Sequence, residues 1–190
     1  MLCFAYISPE NSAFSSNVEV LQLIKNDIAK YKNEGKIILM GDLNGHTDNE
    51  FDHNPFDNYD NEAEAVPPFF AGMITPPTRM NQDTRKVNKR EKDILDMCID
   101  CDMVILNGRK LGDLSGKFTC YEVNGHIPSV IDYVLVDADI FEDVTYSQVK
   151  DLSVFSDHCP IELSLGAHYT YDTKSDNTTE LQLLPHHRRY

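Results

Sequence analysis

Apolar residues recur at helical spacing over residues 18–34, where Val18, Leu21, Ile24, Ile28 and Tyr31 share one face. Asn17 stands where an N-cap belongs and Gly35 where a helix stops, so the pattern predicts a helix over 18–34. A second stretch, 89–101, turns Ile94, Leu95, Met97 and Cys98 to one side and also reads as a helix. Short apolar runs predict strands at 2–7, 36–40, 103–106, 118–123, 127–136, 144–149 and 159–165. Asn124-Gly125 lies between the fourth and fifth of these, which makes 118–136 the strongest hairpin signal in the chain.

Residues 45–88 break the pattern. They are rich in Asn, Asp and Pro, with Pro67-Pro68 and Pro76-Pro77. So long a structureless stretch in a compact domain is expected to be functional or poorly ordered, with a short helix at most. After Gly166 the chain turns polar, so 167–190 reads as a disordered tail or linker and 1–166 as the structured portion.

Charge and composition change this picture little. The net charge of −14 argues against broad electrostatic capture of nucleic acid, which needs Lys and Arg. It is compatible with an enzyme that grips phosphate through a metal, because clustered carboxylates are what such a site requires. Six basic residues between Arg79 and Lys92 read as a solvated face, with contact to a DNA backbone as the sharper alternative. Five cysteines without framework spacing fit a reduced compartment. Cys98 and Cys101 form a lone CxxC that lacks a second ligand pair for zinc, so they read as ordinary thiols on a helix. No apolar run approaches the roughly 20 residues of a membrane span. The start, Met1–Ile7, lacks the basic flank of a signal peptide and reads as a strand entered in mid-domain. The expectation is an intracellular monomer, nuclear when functional, with no membrane partner.

Three segments share one arrangement, an apolar strand that ends in carboxylate, amide or imidazole groups. They are Ile37–Asn44, Val130–Val136 and Phe155–Ile161. Asp132 interrupts an apolar strand, and a buried carboxylate is costly unless it is paired. His158 is its natural partner: a carboxylate on one ring nitrogen fixes the tautomer and leaves the other nitrogen free as a base. Asp42 and Asp157 then become oxygen ligands for a hard cation. Such an ion neutralises charge that grows on a phosphate and lowers the pKa of a bound water. Asn44 can hydrogen-bond phosphate or water without adding repulsive charge. Alone, each motif is more often a turn, a surface pair or a strand cap; their joint order is what points to phosphodiester hydrolysis. A calcium loop from Asp42 fails, because its sixth position is Thr47 and its twelfth His53. A serine hydrolase fails for want of Gly-x-Ser-x-Gly.

Gly41-Asp42-Leu43-Asn44, Ile131-Asp132-Tyr133 and Ser156-Asp157-His158 resemble the last three signature motifs of the endonuclease/exonuclease/phosphatase superfamily, and Ala5-Tyr6-Ile7-Ser8-Pro9 resembles the preceding one. Leu106-Asn107-Gly108-Arg109, Gly116–Cys120 and Ser129–Tyr133 are similar to the LINE-type (non-LTR) retrotransposon branch, in which a Thr is placed as Thr119 is here, thirteen positions before Asp132. The resemblance covers residues 1–166 and implies a C-terminal portion of such a domain: α/β, half of a four-layer sandwich, with a mixed, mainly antiparallel sheet and outer helices. It implies His158 as general base or phosphate contact, with Asp132 orienting it. Asp42 would activate water or protonate the leaving group, and Asn44 would hold phosphate or water. Asp157 would sit by the metal, Tyr6 would stabilise the transition state, and Thr119 joins the catalytic set.

The implied metal set is Asp42, Asn44 and Asp157, and the implied cofactor is magnesium, with manganese as a substitute. The implied partners are DNA and, in a parent protein, a reverse transcriptase domain or an N-terminal half. That half carries an Asn motif and a metal-binding Glu in the family, and no Glu here stands in that context. Weak or absent activity is therefore expected of the chain by itself. A phosphatase or phospholipase of the same superfamily, and a non-catalytic remnant or scaffold, are the alternatives.

Overall fold

In the computed structural model, which describes residues 1–9, 12–13, 19–53, 76–87, 89–121 and 127–166, the buried run Ile37-Ile38-Leu39 leads into the centre of a four-stranded sheet. Its strands are β1 (Leu2–Tyr6), β2 (Ile38–Asp42), β3 (Met103–Ile105) and β4 (Asp132–Asp137), in the order β1-β2-β4-β3. β1 runs parallel to β2, and β4 runs antiparallel to both β2 and β3. The link between β1 and β2 contains helix α1 (Val20–Tyr31), as a parallel connection requires.

Alternation along the strands sends residues to two faces. Ile37, Leu39, Met103, Ile105, Tyr133 and Leu135 pack under α1 and α2 (Lys89–Asp100), against Ile28, Ile94, Leu95, Met97 and Cys98. Ile38, Val104, Val134 and Val136 face the other way and meet Phe141 and Val144, with Ile161 and Leu163 packed alongside. Those residues belong to a 3-10 turn (Ala138–Ile140), the residues after it, and an antiparallel pair, β5 (Val144–Val149) and β6 (Ile161–Leu165). On this second face the β1 side chains Leu2, Phe4 and Tyr6 are exposed. The α/β class, the mixed and mainly antiparallel sheet and the outer helices agree with the sequence reading.

Several boundaries differ from it. Helix α1 ends at Tyr31, where residues 32–35 turn, and Asn17 and Val18 lie outside the described residues. Gly41 and Asp42, expected in a loop, belong to β2 itself. Gly41 makes this possible: its φ is +141°, and a Cβ there would stand 1.9 Å from the Ala5 carbonyl oxygen, so only glycine lets β1 close beside Asp42. Among the described residues the two limbs of the expected hairpin over 118–136 meet at an isolated bridge between Cys120 and Ser129, and β4 begins at Asp132. Pro128 has no N–H to give a ladder, and the amides of Ile131 and Asp132 go to a side chain, Thr119 Oγ1. Asn124-Gly125 and the tail 167–190 lie outside the described residues.

The described parts of 45–88 form no helix or strand but are firmly held. Arg79, 2% exposed, donates to Thr47 Oγ1, Thr47 O and Glu50 O. Arg85 clasps Asp83, and Arg90 donates to Ser8 O. Of the six basic residues Arg79 is thus spent inside the fold, and Arg85 and Arg90 are tied to it by hydrogen bonds. This corrects the solvated-face reading for Arg79, while Arg85 and Arg90 remain partly exposed.

Candidate active site

Tyr6, Asp42 and Asp132 are neighbours in register across β1, β2 and β4. Residues opposite one another on adjacent strands project to the same face, so a phenol and two carboxylates form a row across the sheet. Tyr6 is exposed, while Asp42 and Asp132 are half-buried.

Beyond Asp42 the chain turns through Asn44 at φ +47°, a left-handed conformation that Asn tolerates better than most residues. The Asn44 backbone N–H donates to Asp42 Oδ1 at 2.9 Å. Its side-chain amide donates to Asp42 Oδ2 and to the Ile7 carbonyl, both at 2.8 Å. Both amide hydrogens are therefore engaged, and an outside group meets Asn44 through the acceptor Oδ1.

His158 enters from the segment before β6. Its Nδ1–H donates to the Asp132 carboxylate, 2.9 Å from Oδ2 and 3.1 Å from Oδ1. Ser156 Oγ accepts the His158 backbone N–H. The Tyr121 N–H donates to Asp157 O, and the Cys159 N–H donates to Thr119 O, which clamps residues 156–159 against 119–121. The side chain of Asp157 is exposed.

Thr119 is fully buried and does not face the row. Its hydroxyl accepts the N–H groups of Ile131 at 3.1 Å and Asp132 at 3.0 Å. It is a positioning residue for Asp132. Thr119→Val leaves two amides without an acceptor and is expected to cost about 1–3 kcal/mol of stability. Thr119→Ser keeps the oxygen and should restore most of that loss, which paired urea titrations of the two variants would show.

Asn107, which carries no periodic signal in the sequence, takes over where β3 stops. Its Nδ2 donates to Asp132 O and its Oδ1 accepts the Val134 N–H, both at 3.0 Å. One side-chain amide thereby replaces a strand neighbour beside Asp132. Tyr133, the next residue, is fully buried with its hydroxyl donating towards Gly45 O and Val130 O. Asp83 forms a third support, accepting the Val130 N–H, the Arg85 guanidinium and a His46 ring hydrogen.

Asp83 is buried, which raises its proton affinity, but Arg85, His46 and the Val130 N–H hold its carboxyl far below the usual range. Arg109 and His53 do the same for Asp52 against a larger burial penalty. A group with a depressed folded pKa stabilises above its unfolded pKa and loses that contribution as pH falls through the folded value. Stability should therefore decline below about pH 4, the unfolded carboxylate value. Urea midpoints between neutral and strongly acid pH should decline less in Asp83→Asn than in the parent.

Burial also lifts Asp42. The Asn44 N–H pulls it back, the charge of Asp132 pushes it up again, and the net shift is upward. For His158 burial lowers the proton affinity, but the hydrogen bond and charge of Asp132, with Asp42 and Asp157, more than offset it. Among the described residues no lysine or arginine pairs with Asp42 or Asp132. Ligand atoms of Asp42, Asp132 and His158 all lie within 4.8 Å of one another. The two carboxylates, with Asn44 Oδ1 nearby, are a hard, oxygen-rich donor set with negative charge to neutralise, which fits a divalent cation such as magnesium or manganese. Asp157 falls in a second group, with Cys120 and His158. The structure thus brings together Tyr6, Asp42, Asn44, Asp132 and His158, while Asp157 stands on the other side of the imidazole and Thr119 beneath.

The profile of the endonuclease-reverse transcriptase family matches residues 1–162. The chain belongs to this family. Its resemblance to the LINE-type branch of the endonuclease/exonuclease/phosphatase superfamily is thereby confirmed. No curated protein matches the chain. Among solved structures, the chain is similar in fold to a 3′-5′ exonuclease (NExo) from Neisseria meningitidis. The TM-score is 0.54 at 15% identity, over 86% of this chain and 60% of that one. It is also similar to the endonuclease domain of TRAS1, a telomere-specific non-LTR retrotransposon, with a TM-score of 0.53 at 14% identity, over 88% of this chain and 58% of that one. This family member therefore spans somewhat more than half the length of the structures it matches, and the α/β architecture fits a portion of their fold. No described helix is long and apolar enough to cross a membrane.

Proposed function

We propose that this chain carries the imidazole–carboxylate part of a magnesium-dependent phosphodiesterase site, in a nuclease that nicks DNA for a retrotransposon-like element. The observation that carries the reading is the His158–Asp132 pair, set beside Asp42 and Tyr6 in one row across three strands.

Asp132 holds Nδ1–H, so the His158 lone pair sits on Nε2, where it can take a proton from the attacking water. The raised proton affinity of His158 keeps it effective near neutral pH. Asp42 is raised in the absence of a cation, but a cation on its carboxylate would favour the ionised form, so Asp42 would position the water or the leaving oxygen through that ion. The Tyr6 hydroxyl reaches the same face and would donate to a phosphate oxygen. A divalent cation held by Asp42 and Asn44 Oδ1 would neutralise phosphate charge, with Asp157, which groups with Cys120 beyond the His158 ring, acting on it only through water.

DNA as substrate is supported by the retrotransposon endonuclease domain among the similar structures. With a net charge of −14, the chain would hold DNA through the metal and through exposed groups such as Tyr6 rather than through a basic surface. In a longer protein, a reverse transcriptase domain would be the expected neighbour.

The test is nicking of supercoiled plasmid with magnesium, with and without chelator. Inositol phosphates serve as the competing substrate class. The assay uses the chain alone and the chain joined to the part of a relative's domain that it does not span. Chelator-sensitive nicking by the joined form, exceeding that of the chain alone, is expected. A folded joined form that leaves plasmid intact and releases phosphate from inositol phosphates would overturn the endonuclease reading.

A further inference from the structure

We infer that Cys120, His158 and Asp157 form a binding site for a thiophilic divalent cation, with zinc as the fitting ion, on the side of the imidazole away from Asp132. The group is compact, with ligand atoms all within 4.8 Å of one another. Cys120 Sγ lies 3.7 Å from His158 Nε2. Zinc bonds of about 2.3 Å to sulfur and 2.0–2.1 Å to nitrogen, at a tetrahedral angle, place those two atoms about 3.6 Å apart. The pair therefore stands almost at the coordinated separation before any ion arrives.

The second support is the tautomer. Zinc-binding histidines commonly give their other ring N–H to a carboxylate, and His158 already gives Nδ1–H to Asp132 at 2.9 Å. Nε2 is thereby left unprotonated and turned to the sulfur. Asp157 is exposed and completes three protein ligands, with water in the fourth position. Cys120 is buried, so the ion enters past Asp157. The thiol proton leaves to solvent on binding. A thiolate discriminates against magnesium, so this site and the oxygen-rich group at Asp42 select different ions. Both groups use His158. On the proposed hydrolytic reading, zinc would occupy the nitrogen that takes the proton and so hold the enzyme off.

The binding site is testable without any activity. Cobalt(II), a spectroscopic stand-in for zinc, is titrated into the reduced full chain. Near-ultraviolet thiolate charge-transfer absorption and intense tetrahedral visible bands are expected, and stoichiometric zinc should erase them. Cys120→Ser, confirmed folded by circular dichroism, should lose the charge-transfer band. The double variant Cys98→Ser/Cys101→Ser should keep it, and Asp132→Asn should weaken zinc affinity about 10–100-fold. Persistence of the band in Cys120→Ser, its loss in the Cys98/Cys101 variant, or no thiolate band in the parent chain would each overturn the site. Separately, if the joined form nicks DNA, zinc should inhibit it and Cys120→Ser should blunt that inhibition. The cobalt spectra decide the site whether or not the joined form nicks.

Discussion

His158→Ala in the active, joined form lowers magnesium-dependent nicking by about 10²–10⁴-fold, the range for loss of a positioned general base. The expectation rests on two effects. The group that accepts the proton is gone, and Asp132 is left facing Asp42 without the imidazole that relieves the repulsion. Without the His158 charge, which lowers it, Asp42 climbs further from its ordinary value. Folding should survive, because the imidazole is only half-buried and the backbone bonds of His158 to Ser156 and of Cys159 to Thr119 do not involve the ring. Asp132→Asn tests the same geometry from the other end. An amide can present its NH2 to Nδ1 and trap the opposite tautomer, which puts the proton on Nε2 and removes the base. Circular dichroism and the urea midpoint report folding, and single-turnover nicking reports the chemical step. A loss below about tenfold in a folded His158→Ala protein would remove His158 from the chemistry.

Arg109→Ala is expected to cost about 3–5 kcal/mol, the usual penalty for stripping one partner from a buried ion pair. Arg109 and Asp52 are both almost fully buried and meet in a two-pronged contact, at 2.6 Å and 2.7 Å. Asp52 Oδ2 also takes the Ile105 N–H, and the same guanidinium reaches Ile105 O and Pro77 O. The substitution therefore strands a buried carboxylate and frees two carbonyls together. Arg109→Lys keeps a charge but loses the fork, so it should fall between the two. Replacing both partners by apolar residues of similar volume should cost less than the single change. Urea unfolding of the four proteins measures the series; a single-variant loss under about 1 kcal/mol would show that the pair contributes little.

Not all of this could be read from the sequence. Helices α1 and α2 were legible because their apolar residues recur at a spacing that needs no partner to interpret. The Asp132–His158 link was legible for a different reason: one carboxylate in an apolar strand has to be answered by something, and few imidazoles stand in a similar setting. Asp52–Arg109 offered neither cue. Its members are 57 positions apart, both polar, in stretches that look like solvated loop. Burial there is created by tertiary contact, so nothing local announces it. Asn107 stood in the Leu106–Arg109 motif, but its role did not show, since its amide completes a ladder that is visible only once β3 is seen to end at Ile105. Asn124-Gly125 signals a turn alone and does not announce that the amides of Ile131 and Asp132 go to Thr119. Asn44 was placed in the right region, but its donors hold Asp42 and Ile7 rather than waiting for a ligand.

Residues 47–52 and 79–83 meet along a seam. Arg79 ties Thr47 to Glu50, Asn81 reaches Asp48 O, and Asp52 is locked to Arg109. Gly108 and Gly116 admit the Met80 carbonyl where a Cβ would come within 1.8 Å and 2.1 Å of it. The two flanks are thus fastened to each other and to the core by their own side chains, independently of the stretch that joins them. The flanks are held in this way whatever the length or composition of 54–75. Changes in that stretch are thereby uncoupled from the packing of the sheet and its polar row.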